Sequence, residues 1–319
     1  MKLIDEKLIE AVPNVSAGAD PEAVKQLVSA AESGGALVAH VDTSISANRT
    51  VITLLGTSDQ VVASCCALVA TAADVIDMRT HTGTHPCVGA VDVAPFIPLG
   101  TATMEDAIAC AERLACWAAK TYSLPCFLYG AAARKIEHQT LPELRRGGIA
   151  RLSARLEQRT LTPDYGSAPL HPKLGALITG ARDILIAYNI QLSTSDVGAA
   201  SKIAAAIRTS GPSGRPPALP YLRAIGWYEE AHRCAEVSCN LLDYRATSLW
   251  AVWDAVSTAA KSVGCDAVSS DIIGLAPEAA LEAPGVSQEE YLRHVKLGVC
   301  RSFEVEKRTI EPWIRHILR

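Results

Sequence analysis

Apolar residues recur along this chain in two rhythms. Short apolar or alternating runs read as strands, and longer stretches with an apolar position every three or four residues read as helices. Residues 8–12 predict a strand. Residues 21–33 predict a helix that opens on Pro21 and is closed by Gly34 and Gly35. Residues 36–42 and 50–55 predict two more strands. Thr57 and Gln60 have the spacing of a capping box, opening a helix to about residue 76. A loop rich in Gly and His follows. Residues 92–99 then predict a strand, Thr103 caps a helix to about residue 121, and residues 125–129 predict a strand.

The second half repeats this order. Residues 184–192 predict a strand, and Thr194 or Ser195 caps a helix to about residue 207. Residues 210–217 (SGPSGRPP) read as a turn-rich loop. Residues 221–228 and 235–241 predict a hairpin. Leu249, Val252, Trp253, Val256, Ala260 and Val263 then form one helical stripe closed by Gly264, and residues 267–275 predict the last strand. The second half is thus β-α-β-β-α-β, and the first half has that order plus one further α-β unit. The expected class is α+β, two ferredoxin-like subdomains at 1–182 and 183–319. Helices on one face of each sheet would leave a ligand cleft between the sheets. Residues 135–174, with Leu144-Arg145-Arg146-Gly147-Gly148 and a proline-rich loop, read as a connector. A single doubly wound sheet fits less well, because no Gly-x-Gly-x-x-Gly follows a strand.

Composition narrows the function classes. With 319 residues, 49% of them hydrophobic, the chain can build two modest cores. A net charge of −4, no long basic run and only 5% aromatics argue against a nucleic-acid partner. The most apolar stretch, residues 61–73, is too short for a membrane span. The opening MKLIDEKLIEAVPN has acids where a signal peptide needs an apolar core, so a cytoplasmic location is expected. None of the ten cysteines forms a Cys-x-x-Cys pair, and reduced core thiols are expected rather than disulfides or a zinc site.

The densest polar signal is IDMRTHTGTHPCVGAVDV at residues 76–93. His81 and His85 share a loop with Gly83, Pro86 and Gly89, where side chains stay close to solvent and ligand. Pro86 disfavours a helix at His85, and no Glu lies between the histidines, so no metal is expected. A second signal is His40-Val41-Asp42 at a strand end, followed by Asn48-Arg49-Thr50. If the two strand ends are neighbours, Asp42 can orient the His85 ring, making a general base of fixed tautomer.

These segments resemble the glutamate formiminotransferase family. The family's opening segment resembles residues 8–18 (LIEAVPNVSAG), and its D-x-x-x-x-x-N-R-[ST] segment resembles residues 42–50. The stretch I-D-M-R-x-H-x-G-x-H-P-x-x-G-A-x-D-V matches residues 76–93, and PDYG, GALITGAR, LIAYNIQL, GWY and IGLAPEAAL follow in family order. The resemblance implies transfer of a formimino (or formyl) group between an amino-acid donor and N5 of tetrahydrofolate, the cosubstrate. It implies His85 as general base with Asp42 as its carboxylate partner. It implies folate contacts from Pro163, Asp164, Tyr165, Gly166, Ser167, Ala168, Pro169, Leu170, His171 and Pro172. Donor contacts are expected from Asn14, Ser16, Asn48, Arg49 and His81. The resemblance further implies a homodimer, and, with no cyclodeaminase-like segment after Arg319, a stand-alone form in histidine catabolism.

The departures from the family pattern cluster. Thr82, Thr84 and Cys87 stand where the family usually has a lysine, a glutamate and an arginine, and Ala17 and Ala19 replace an acid and a base. A donor with two carboxylates calls for cationic partners. Either formimino-glutamate binds poorly here and another donor is used, or Arg49, Arg79 or Arg182 does that work. A folate binder without catalysis and a metal hydrolase using His81 and His85 are the competing classes.

Overall fold

The strand-forming runs collect into two separate sheets. The computed structural model describes residues 6–208 and 219–319, and the chain divides into two units, Met1–Arg182 and Asp183–Arg319. The turn-rich loop expected at 210–217 lies outside the described residues.

In the first unit the order is β1 (Lys7–Ala11), β2 (Asn14–Val15), α1 (Pro21–Ser33), β3 (Leu37–Ser44), β4 (Arg49–Gly56), α2 (Ser58–Val75), β5 (Val91–Gly100), α3 (Met104–Tyr122), β6 (Cys126–Gly130), α4 (Leu141–Arg145), α5 (Gly148–Glu157) and β7 (Leu177–Ala181). Capping fixes the helix starts. Asp20 accepts from the Glu22 and Ala23 amides, and the Thr57–Gln60 and Thr103–Asp106 boxes both form. β1 and β2 lie in line, each pairing antiparallel with β4 on one side and β5 on the other, while β3 flanks β4. That is the expected split β-α-β arrangement. β7, a strand with no sequence signal of its own, inserts parallel between β5 and β6. Its run LITGA is short and buried at every position, which periodicity alone does not mark as a strand.

Strand alternation sorts the side chains into two cores. On one face Ile52, Leu54 and Phe96 pack with Leu27, Leu68 and Leu114 from α1, α2 and α3. On the other, Val93, Phe127 and Ile178 pack with Leu144, Leu152 and Leu156 from α4 and α5. The connector is therefore no linker. Helices cover part of both faces, where the sequence predicted one, and the cover brings Arg145 to the sheet. α2 is, by length and composition, apolar enough to cross a membrane, a property the shorter run 61–73 did not show. Here it is a core helix, with Val61, Cys65, Leu68 and Ala72 buried.

The second unit has β8 (Ile186–Leu192), α6 (Val197–Ile207), β9 (Leu222–Glu229), β10 (Cys234–Leu241), α7 (Leu249–Ser262) and β11 (Ala267–Ile273). Its antiparallel sheet has the order β11-β8-β10-β9, the ferredoxin-like one. Asp196, not Thr194 or Ser195, caps α6 by accepting from the Gly198 amide. Tyr188 on β8 is wholly buried in this unit's own core with Val252 and Val256 of α7.

One tight crossing fixes the loop that precedes β5. A Cβ at Gly89 would lie 1.8 Å from the Ala176 carbonyl oxygen, so the loop and the start of β7 approach closer than any side chain allows. Gly89→Ala is expected to destabilise the protein by about 1–3 kcal/mol or more. Urea unfolding checks this, and an unchanged midpoint would contradict it.

Candidate active site

The short strand β2 sets the site. Asn14 pairs with Val51 of β4 and Val93 of β5, and Val15 pairs with Thr50 and Val91. Residues at the adjoining ends of β4 and β5 therefore meet. Arg49 donates from Nη1 to Asp92 Oδ2 at 2.7 Å, and from Nε and Nη2 to Asn14 Oδ1 at 3.1 and 2.6 Å. Asn14 is held in turn by its bond to the Val12 carbonyl. Arg145, the last residue of α4, donates from Nη2 to the same Oδ2 of Asp92. The other oxygen, Oδ1, accepts from the Val88 amide at 2.9 Å. Asp92 is completely buried. Burial alone would push its carboxyl up. The guanidinium groups of Arg145 and Arg49 outweigh that and hold it below the usual carboxylate range.

Against this cluster lies the histidine loop. Ser16 donates from Oγ to the Gly89 carbonyl at 2.7 Å and from its amide to the Ala90 carbonyl at 2.8 Å. Asn48 has φ of +46°, a left-handed conformation that asparagine tolerates better than most residues. Its Oδ1 accepts from the Gly18 and Ala19 amides, both at 2.9 Å, and its Nδ2 donates to the Thr82 carbonyl at 2.9 Å and to His81 Nδ1 at 3.3 Å. One side chain thus joins the opening loop, the β3–β4 turn and the histidine loop. The expected donor residues Asn14, Ser16, Asn48, Arg49 and His81 do converge, but Asn14, Ser16 and Asn48 spend their polar atoms on holding the loops together.

His85 is half-buried. Its Nδ1 lies 2.8 Å from the Pro86 carbonyl oxygen. A carbonyl only accepts, so Nδ1 carries the proton and Nε2 keeps its lone pair. Burial, then the Arg49 and Arg145 charges, push the ring's pKa down to about 3, against a smaller upward pull from Asp92. Near neutrality the ring is an uncharged imidazole with a free basic nitrogen.

The expected bond between Asp42 and His85 is not among those the His85 ring makes. Asp42, buried on β3, meets His40 Nε2 at 3.1 Å. The reason is register: Asp42 pairs with Val51 and His40 with Thr53, so the two side chains share one face of β3 and reach each other first. The Pro86 carbonyl fixes the His85 tautomer, and the nearby carboxylate is Asp92.

The segment expected to contact folate is largely braced by the protein. Asp164 Oδ2 accepts from the Leu128 amide and from the fully buried His138 Nδ1, each at 2.8 Å. Tyr165 accepts at its hydroxyl from Arg134, whose guanidinium lies over the ring at 5.0 Å. His171 Nδ1 accepts from the Lys173 and Leu174 amides. Pro163, Leu170 and Pro172 flank these braces. Gly166, Ser167, Ala168 and Pro169 form an exposed tip, with a cis bond before Pro169.

Sequence reasoning missed Arg145, Asp92 and His138. Arg145 lies in an apparent linker of the sequence, and Asp92, though within residues 76–93, reads as a strand residue. An acid within a run buried on both faces was the available signal, since such a carboxylate needs charged partners. Asp92→Asn leaves two buried guanidinium groups without their counter-charge. It is expected to cost about 3–5 kcal/mol of stability. Chemical denaturation checks this, and a loss under about 1 kcal/mol would contradict the central placement of Asp92.

Comparison with known proteins bears on the same elements. The profile of the Formiminotransferase domain, N-terminal subdomain, matches residues 8–182, and that of the Formiminotransferase domain matches residues 187–311. Formimidoyltransferase-cyclodeaminase of Gallus gallus is 39% identical over 296 residues, 92% of this chain and 54% of that protein. Glutamate formimidoyltransferase of Streptococcus pyogenes serotype M1 is 32% identical over 306 residues, 96% of this chain and 98% of its own length. Glutamate formimidoyltransferase of Thermoplasma acidophilum is 34% identical over 277 residues, 86% and 89% of the two chains. The chain spans about half the length of the Gallus gallus protein and nearly all of the Streptococcus one. With matches that take in both sheets and the loop of His81 and His85, the chain belongs to the formiminotransferase family.

Proposed function

We propose that this protein transfers a formimino (or formyl) group between an amino-acid donor of the glutamate type and N5 of tetrahydrofolate, with His85 as general base. The observation that carries the reading is the state of His85. Its Nδ1 is pinned by the Pro86 carbonyl, which leaves Nε2 to accept a proton, and burial with the Arg49 and Arg145 charges disfavours the charged ring. The names of the Streptococcus and Thermoplasma relatives support formimidoyl transfer involving glutamate, and family membership supports folate as the cosubstrate.

The reaction asks for two proton movements. N5 attacks the formimino carbon and a C–N bond forms. The N5 proton passes to His85 Nε2. The imidazolium then returns that proton to the donor nitrogen, the old C–N bond breaks, and the free amine leaves. A ring whose protonated form is disfavoured by burial and by two arginines gives its proton back readily, which suits the second movement. The exposed tip formed by residues 166–169 is the part of its loop left free to meet folate.

His85→Ala is expected to lower single-turnover formation of 5-formimino-tetrahydrofolate by about 10²–10⁴-fold, with folate binding and folding retained. His81→Ala should cost less, because His81 accepts from Asn48 and shapes the loop. The test uses N-formimino-L-glutamate and tetrahydrofolate with both variants. Near-wild-type turnover in His85→Ala would remove the reading, and equal large losses in both would replace the single base with a joint role.

A further inference from the structure

We infer that Arg145, with Arg49 beside it, forms a carboxylate subsite next to His85, taking one carboxylate of the amino-acid donor. The inference rests on the proposed function only in taking His85 as the reacting centre.

The argument begins with charge. Arg49 and Arg145 bring two positive charges and Asp92 brings one negative, so the cluster holds a net charge of +1. Asp92 serves both arginines through a single oxygen, Oδ2, because Oδ1 is taken by the Val88 amide. Neither guanidinium therefore gains the two-pronged pairing that a carboxylate can give. Arg49 places its Nε and Nη2 on a neutral amide oxygen, that of Asn14. Arg145 does not: its Nε is buried and meets no acceptor among the described residues. A buried donor left in this state is costly unless something else completes it.

A structural brace for Asp92 needs one arginine. The second adds repulsion and an orphaned donor. Burial and the Arg145 charge lower Arg49 to about 10, and the same two arginines bear on His85. The charges that act on the His85 ring are those of Arg49 from β4, Arg145 from α4 and Asp92 from β5. A monoanion with planar paired oxygens would balance the cluster and give Arg145 Nε its acceptor. Thr82 and Cys87 supply no cation here, and Arg79 is occupied by Asp77 on the surface. Arg145 thus answers the loss of charge at positions 82 and 87. The amino-acid donor carries a carboxylate, and so does the glutamate end of folate.

The test titrates N-formyl-L-glutamate and p-aminobenzoyl-L-glutamate, each beside its neutral diamide, into the whole protein by calorimetry. The expected result is that wild type binds N-formyl-L-glutamate better than its diamide. Arg145→Gln should weaken that binding by about tenfold or more and abolish the preference for the acid. Arg145→Lys, with the charge but not the planar fork, should fall between. Loss of affinity in Arg145→Gln for p-aminobenzoyl-L-glutamate alone would overturn the assignment to the donor and give the subsite to folate. Arg145→Gln leaves Arg49 and Asp92 as a matched pair, so it is expected to fold. Its His85 pKa, followed by NMR, should rise toward the ordinary value. Equal binding of acids and diamides by wild type, or a His85 pKa unmoved in Arg145→Gln, would overturn the inference. No transfer is measured, so failure of the transferase reading and failure of this subsite give different results.

Discussion

The carboxylate of Asp92, enclosed between Arg49 and Arg145, ties three levels of the first unit together. It joins β4 to β5 through Arg49, holds α4 against the sheet through Arg145, and receives the Val88 amide at the end of the histidine loop. A charge wholly out of water is tolerated only with partners of this kind. Once they are fixed, so is the position of α4, and with it the second core on that face of the sheet. The loop carrying His85 then runs between a tight glycine crossing and a salt-bridged carboxylate, with little freedom at its base.

This arrangement also sets the chemistry of His85. A ring near two arginines and partly out of water stays uncharged, and a single backbone carbonyl decides which nitrogen bears the proton. The orienting group is thus main chain rather than a carboxylate. Asn48 contributes differently, closing three loops around the same point without touching the His85 ring.

Much of the fold was legible because the signals were local. The capping box at Thr57, the cap at Thr103, Pro21 at a helix start and the two β-α-β-β-α-β orders each rest on a few neighbouring residues. β7 was not legible, because five buried residues in a parallel strand show no alternation. α4 and α5 were hidden by the glycines and arginines around them, and their apolar side is short. The site was half legible. His85, Arg49 and Asn48 stood out by type and spacing, whereas the pairing of Asp42 with His40 depends on strand register that spacing does not reveal. The partners of Asp92 depend on α4 folding back across the sheet, a long-range event with no local trace.

The central claim is that His85 is an uncharged imidazole protonated on Nδ1, with Nε2 free. ¹⁵N-resolved NMR of the histidine side chains, with the His85 signals assigned through His85→Gln and followed from pH 8 to about pH 4, tests it directly. The account predicts a Nδ1–H tautomer with a pyridine-type Nε2 that persists well below the ordinary histidine pKa of about 6.5. An Nε2–H tautomer, or an imidazolium formed near that ordinary value, would contradict it.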